Sequence, residues 1–242
     1  MKLEGEVAVV IGAGGGVGAE ICRVLAAEGA QLAIADRDLQ PLARLDDELG
    51  AFGQALDAID PEAVAAFADE TAQRVGTPSI LVNCLGVWHA APFNEVSDED
   101  WRRVVDANLT SIFVTCRAFV PGMQELGRGS VVNFSSTAGE YGSIRPAAHY
   151  AAAKGGVIAF SKSLAREVSP SGVRVNVVSP GPLDTPMLGA IDEAQKRRLA
   201  ERTLVGRLGL PRDIAEAVLY LASSQSSFVT GHVLGVSGGA LL

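Results

Sequence analysis

Tyr150 and Lys154 stand four residues apart in the stretch YAAAK, with only alanines between them. On a helix of 3.6 residues per turn, positions i and i+4 share one face. The phenol and the ammonium would then project to the same side and act on one point, as an acid/base pair does. The same spacing also fits a core tyrosine beside a surface lysine. A second candidate is the glycine run GAGGGVG, residues 12–18. Glycines let a backbone turn tightly and approach a pyrophosphate, whose charge a following helix N-terminus favours. The common dinucleotide spacing begun at Gly12 and Gly14 fails, because Val17 occupies its last place; a wider spacing of Gly12, Gly16 and Gly18 holds. Asp36 follows at the end of IAD. A carboxylate there accepts hydrogen bonds from ribose hydroxyls and repels a 2′-phosphate. Arg37, next in line, could pair with that phosphate. With Asp36 ahead of it, NAD is favoured over NADP.

Such groups need a frame. EVAVVIG (6–12) is a short β-branched run that stops at glycine and reads as a buried strand. VGAEICRVLAAEGA follows with helical periodicity and a stop at Gly29. QLAIAD (31–36) predicts the next strand, and LQPLARLDDELG a helix closed by Gly50. The alternation continues with strands near 52–57, 79–83, 130–135 and 173–179 and in HVLGVS. Helices are predicted at 61–75, 98–106, 108–126 and 149–168, near 188–202, and at 211–223. Apolar strands alternating with helices imply a parallel sheet covered on both faces. No Pro-rich or charged linker divides the chain, so residues 1–242 read as one doubly wound α/β domain. Segments 84–97, 135–148 and 180–192 are expected to be irregular, and each follows a strand. Ligands of such sheets bind beyond the carboxyl ends of the strands, so these loops should share a crevice with the glycine turn.

Composition narrows the class. The 242 residues are 48% hydrophobic and 20% charged, with a formal net charge of −8. That balance argues against a nucleic-acid or anionic-membrane surface. No apolar stretch approaches the ~20 residues needed to span a bilayer, and MKLEGEVAVVIG lacks the apolar core of a signal peptide. Cys22, Cys84 and Cys116 are widely spaced, and the three histidines are scattered. Reduced thiols in a cytoplasmic protein, with no metal site, are expected.

The wide glycine turn together with Tyr150 and Lys154 resembles the classical short-chain dehydrogenase/reductase family. NCLG (83–86) sits where the family has Asn-Asn-Ala-Gly, and DANL (106–109) supplies Asn108 at its helix-kink asparagine. SSTAG (135–139) contains its Ser-x-x-Gly, with Ser136 as the catalytic serine. NVVSPGPLDT (176–185) matches its Pro-Gly segment ending in Thr, and GHVLGVSGG (231–239) resembles its closing strand. The resemblance implies a single Rossmann domain with a parallel sheet of about seven strands. It also implies a catalytic set of Asn108, Ser136, Tyr150 and Lys154. Tyr150 would pass a proton to or from the substrate oxygen, its pKa brought down from about 10 by Lys154 and the nicotinamide ring. Ser136 would hydrogen-bond the same oxygen. Asn108 would hold a water linking Lys154 to solvent, and Lys154 would also hold the nicotinamide ribose.

For the cofactor, the resemblance implies contacts along Gly12, Gly15, Gly16, Val17 and Gly18, with Asp36 and Arg37 at the adenosine ribose. Asp57 would face the adenine amine and Ala58 its rim. Asn83 and Gly86 would line the adenosine ribose, with Leu85 between them in the cofactor set. Pro180, Gly181, Leu183 and Thr185 would hold the nicotinamide carboxamide. Departures are visible. Ile11 stands where Thr is usual and faces Cys84 and Leu85, so an apolar contact would replace a hydrogen bond. Ser111 stands where glycine is common, and Ser237 where Asp is. The interval of fourteen from Ser136 to Tyr150 is one longer than the most frequent spacing.

Substrate-facing candidates are Trp88, His89, Ser136, Arg145, His149 and Met187. Arg145 could receive a carboxylate, sulfonate or phosphate, or stand as a surface arginine. Trp88 either forms an aromatic wall with His89 or covers the end of the sheet. EAQKRRLAER (193–202) fits a solvated helix face or a lid. The reading is an NAD-dependent oxidoreductase interconverting a secondary alcohol and a ketone. A 3-oxoacyl-thioester reductase using NADPH is the alternative, and Asp36 speaks against it. A non-catalytic nucleotide-binding sensor or scaffold would not need a matched acid/base pair. The stretches 108–126 and 149–168 resemble helices that pair across family tetramers, so a homotetramer is expected.

Overall fold

The first apolar run becomes the middle of a sheet. In the computed structural model, which describes residues 1–185 and 192–240, β1 (Val7–Ile11) is buried along its whole length. Its neighbours are β2 (Gln31–Asp36) on one side and β4 (Ile80–Asn83) on the other. The sheet is completed by β3 (Phe52–Ala55), β5 (Gly129–Phe134), β6 (Val173–Pro180) and β7 (Val233–Val236). The order is β3-β2-β1-β4-β5-β6-β7, and every pairing is parallel. This is the expected doubly wound α/β domain.

Alternation along β1 shows why both faces are covered. Ala8 and Val10 point into a core formed with α1 (Gly16–Ala27), α2 (Leu39–Leu49) and α9 (Pro211–Ala222). Val9 and Ile11 point into a second core with α3 (Pro61–Arg74), α5 (Ser111–Glu125) and α7 (Ala148–Val168). Strand order reverses between β1 and β4, and a ligand crevice opens at such a switch point. Among the described residues, no helix is long and apolar enough to cross a membrane.

Local signals set the helix ends. Asp38 caps α2 by accepting from Gln40 N–H at 3.1 Å, and Gly50 closes that helix with φ +62°. Two expectations change. Helices 98–106 and 108–126 form one continuous path, in which α4 (Asp98–Val105) enters a π-helical turn, Asp106–Thr110, and leaves as α5. Segment 135–148 is not wholly irregular, because Ser136 starts a short helix, α6 (Thr137–Tyr141). Of the helix expected near 188–202, the described part is α8 (Glu193–Ala200).

Candidate active site

The chain leaves β1 at Gly12, whose φ of +87° is left-handed and whose missing Cβ keeps it clear of the Cys84 carbonyl. A methyl on Gly18, in the first turn of α1, would collide with the Gly12 carbonyl. These close approaches dock α1 on the end of β1. No side chain caps α1, and its first turn carries no acid, so this terminus favours an anion. At the end of β2, Asp36 Oδ2 accepts the Gly14 N–H at 2.9 Å, and Oδ1 accepts those of Arg37 (2.7 Å) and Asp38 (3.3 Å). Cys84 N–H donates to Ile11 O at 2.9 Å, and the Ile11 and Leu85 side chains join one apolar cluster. The unusual residues therefore close this corner by packing.

A cavity of about 1010 Å³ lies along the carboxyl edge of the sheet. The glycine turn lines it through Gly12, Gly15, Gly16, Val17 and Gly18. Asp36, Arg37, Asp57 and Ala58 contribute from the ends of β2 and β3, and Leu85 and Gly86 from the end of β4. Ser136, Tyr150 and Lys154 line the same space, as do Pro180, Gly181, Leu183 and Thr185 after β6.

Tyr150 and Lys154 occupy the first two turns of α7, on one face. The Ser-x-x-Gly spacing has a packing reason here. Gly139 lets α6 lie against the α7 backbone, since a Cβ there would sit 2.6 Å from the Lys154 carbonyl carbon. Lys154 Nζ donates to Leu85 O at 3.0 Å and to Phe134 O at 2.9 Å, with the residue only 2% exposed. Burial pushes its ammonium pKa down to about 8. Tyr150 is also buried, which pushes the phenol pKa up, while a hydrogen bond with Ser136 pulls the other way. In the chain itself burial prevails over that bond, and the Lys154 ammonium is engaged by two carbonyls.

Asn108 is fully buried in the π-helical turn. Its Nδ2 donates to Val104 O at 2.9 Å and to Val87 O at 3.0 Å, while Oδ1 has no partner among the described residues. A methyl on Gly86 would stand 2.7 Å from that oxygen and 3.1 Å from Lys154 Nζ. The two atoms thus border one small gap, with an acceptor and a donor for a water.

Not every expected residue reaches the cavity. Asn83 lies inside the sheet, in register with Ile11 and Asn133, and its Nδ2 donates to Asn133 Oδ1 at 2.9 Å. Its side chain faces Cys116 of α5 rather than the cavity. His89 and His149 do not line the cavity either. They face each other, with Nδ1 of His89 2.9 Å from Nε2 of His149. Met187 lies outside the described residues. Trp88 and Arg145 do line the cavity. The Trp88 ring packs edge-on to Tyr150 at 4.7 Å, and Arg145 Cζ stands 5.8 Å from the Trp88 centroid. The carbonyls that hold Lys154 had no side-chain signature to find. Leu199 and Arg202, from the 193–202 run, also border the space.

Cleared glycine backbone, a bare α1 terminus and the Asp36 carboxylate fit the pyrophosphate and ribose groups of a nicotinamide dinucleotide. A family model described as enoyl-(acyl carrier protein) reductase matches residues 12–240. The chain is 39% identical over 241 residues to the 3-oxoacyl-[acyl-carrier-protein] reductase FabG of Vibrio cholerae, covering 99% of this chain and 98% of that one. It is 41% identical over 245 residues to the galactitol 2-dehydrogenase (L-tagatose-forming) of Cereibacter sphaeroides, covering 98% and 96%. Among solved structures, a 3-oxoacyl-[acyl-carrier protein] reductase from Brucella melitensis superposes with a TM-score of 0.93 at 36% identity, covering 98% of this chain and 92% of that one.

Proposed function

Because the chain belongs to the short-chain dehydrogenase/reductase family, whose oxidoreductases act on CH–OH and keto groups with a nicotinamide cofactor, we propose that it interconverts a secondary alcohol and a ketone with Tyr150 as acid/base. One observation carries this reading: the Tyr150 phenol, Ser136 hydroxyl and Lys154 ammonium line a single cavity with the glycine turn.

The glycine turn, Asp36 and the segment from Pro180 to Thr185 would hold the nicotinamide cofactor, which when bound would supply hydride chemistry at the carbonyl carbon. Tyr150 Oη gives its proton to the substrate oxygen in reduction and recovers it in oxidation. A phenol whose pKa burial has raised starts protonated, as reduction requires. The Ser136 hydroxyl donates to the same oxygen and stabilises the developing alkoxide. Lys154 keeps one N–H beyond its two carbonyl bonds, and with Asn108 Oδ1 it holds a water in the gap at Gly86 that returns protons from solvent. Trp88 and Arg145 wall the substrate side, where Arg145 offers a cation to a carboxylate or phosphate.

Asp36 supports NAD. A 2′-phosphate would meet a carboxylate that already accepts three backbone N–H groups. Asp36→Asn, with Arg37 intact, is expected to lower the ratio of kcat/KM for NAD over NADP by about tenfold, the worth of ~1.4 kcal/mol. An unchanged ratio would remove the argument for NAD. A second reading, a 3-oxoacyl-thioester reductase, is favoured by the full-length likeness to enzymes of that name. The two are separated by following reduced-nicotinamide absorbance with polyols, ketoses and 3-oxoacyl thioesters and with both cofactors. Polyol or ketose turnover with NAD(H) supports the first reading, and thioester reduction with NADPH the second. Binding of cofactor without turnover of any secondary alcohol or ketone would point to a sensor instead.

A further inference from the structure

The catalytic turn of α7 starts without a cap. Ala147 occupies the cap position, and no side chain there accepts from the first-turn N–H groups. Uncapped first turns fray, yet Tyr150 is the third residue of this helix. Three contacts from the segment after β4 hold the turn instead. Ala91 N–H donates to Pro146 O at 2.9 Å, the Trp88 ring packs against Tyr150, and His89 meets His149.

The histidine contact reaches deepest into the chain on its α7 side. His149 is 1% exposed, and the two rings meet edge to face with centroids 5.1 Å apart. At 2.9 Å between Nδ1 of His89 and Nε2 of His149, one nitrogen donates and the other accepts. On the far side of His89, Nε2 lies 3.8 Å from Asp100 Oδ1. Asp100 is itself fixed by the Ser97 hydroxyl at 2.7 Å and by Arg103 Nη2 at 2.8 Å. A chain of contacts therefore runs from α4, through the residue after Trp88, to the residue before Tyr150.

We propose that the His89–His149 hydrogen bond, braced on Asp100, is a clasp that positions Tyr150. It fixes Trp88 and the first turn of α7 in the one relative placement that aims Oη at the substrate oxygen. Neither histidine lines the cavity, so both are positioning residues. The inference rests on Tyr150 being the acid/base group. A misplacement of ~1 Å at a reacting centre costs about 100-fold in rate. Cofactor binding along the glycine turn and Asp36 does not depend on this turn.

Steady-state kinetics of the holoenzyme test the clasp. His149→Phe keeps a ring but loses the bond, whereas His149→Gln sets an amide where Nε2 stood. The Phe variant is expected to lose about tenfold or more in kcat, with the cofactor KM nearly unchanged, and the Gln variant to recover most of that rate. His89→Ala and His89→Asn, at the less buried partner, repeat the comparison should His149→Phe fail to fold. Tyr150→Phe is assayed alongside. Full activity in both His149→Phe and His89→Ala, with Tyr150→Phe inactive, overturns the clasp and leaves the acid/base reading standing. Equal losses in His149→Gln and His149→Phe overturn it too, because the restored bond would then do nothing. An active Tyr150→Phe overturns the reading beneath it.

Discussion

The Lys154 ammonium is held by two backbone carbonyls with almost no access to water, and its pKa falls from 10.5 to about 8. The folded chain therefore gives up this proton before the unfolded chain does. Below pH 8 both states are protonated and the burial penalty is present in full. From about 8 to 10.5 the unfolded state binds more protons, so stability due to this residue rises with pH. The buried thiols act with the opposite sign above pH 9, since burial pushes those of Cys22, Cys84 and Cys116 upward. Comparing wild type with Lys154→Met at each pH isolates the lysine. Denaturant unfolding is expected to show wild type gaining on the variant between pH 8 and 10.5; a flat difference would contradict a buried ammonium. At this scale the Tyr150–Lys154 pair was legible, because helical spacing alone puts both residues on one face. The lysine's acceptors were not, since carbonyls look alike whatever residue carries them. The burial of Tyr150, which pushes its phenol pKa up, was not legible, because a motif does not report burial.

Elements decide which of the motif residues meet. Gly18 lets α1 close on the Gly12 carbonyl, and Gly18→Ala forces the two apart. Overpacking of this kind costs about 1–3 kcal/mol. A lower unfolding midpoint together with weakened cofactor binding by fluorescence titration is the expected outcome; unchanged cofactor affinity would mean the turn does not cradle the pyrophosphate. The glycine spacing announced this turn in the sequence, because at Gly12 and Gly18 no other residue fits. Asn83 shows the limit of that reasoning. It sits in a stretch that resembles a cofactor loop, but the register of β4 places it within the sheet, opposite Asn133. His89 and His149 are sixty residues apart, and nothing local to either names the other as its partner. The π-helical turn was legible only as a break between two helices, although it is what buries Asn108 beside Lys154.

At the scale of the molecule, alternating apolar strands and helices made the sheet and its two covered faces readable, because both periodicities follow from burial alone. Assembly is read from what stays uncovered. Phe113 of α5 is 45% exposed, with the Phe160 ring of α7 6.4 Å away and Arg117 Cζ 5.0 Å from its centroid. We propose that this apolar pair on the outer face of the two helices lies between subunits of a homotetramer. Light scattering is expected to give about four times the 25.1 kDa chain mass, and a smaller particle for Phe113→Glu. A monomeric wild type would refute the assembly. The account as a whole stands on proton transfer by Tyr150, and the most direct measurement is turnover of reduced nicotinamide by Tyr150→Phe against wild type on the best ketone of the panel. A general acid contributes about 10²–10⁴-fold, so kcat is predicted to fall by at least ~100-fold while cofactor affinity is retained. A variant that keeps wild-type kcat would contradict the account.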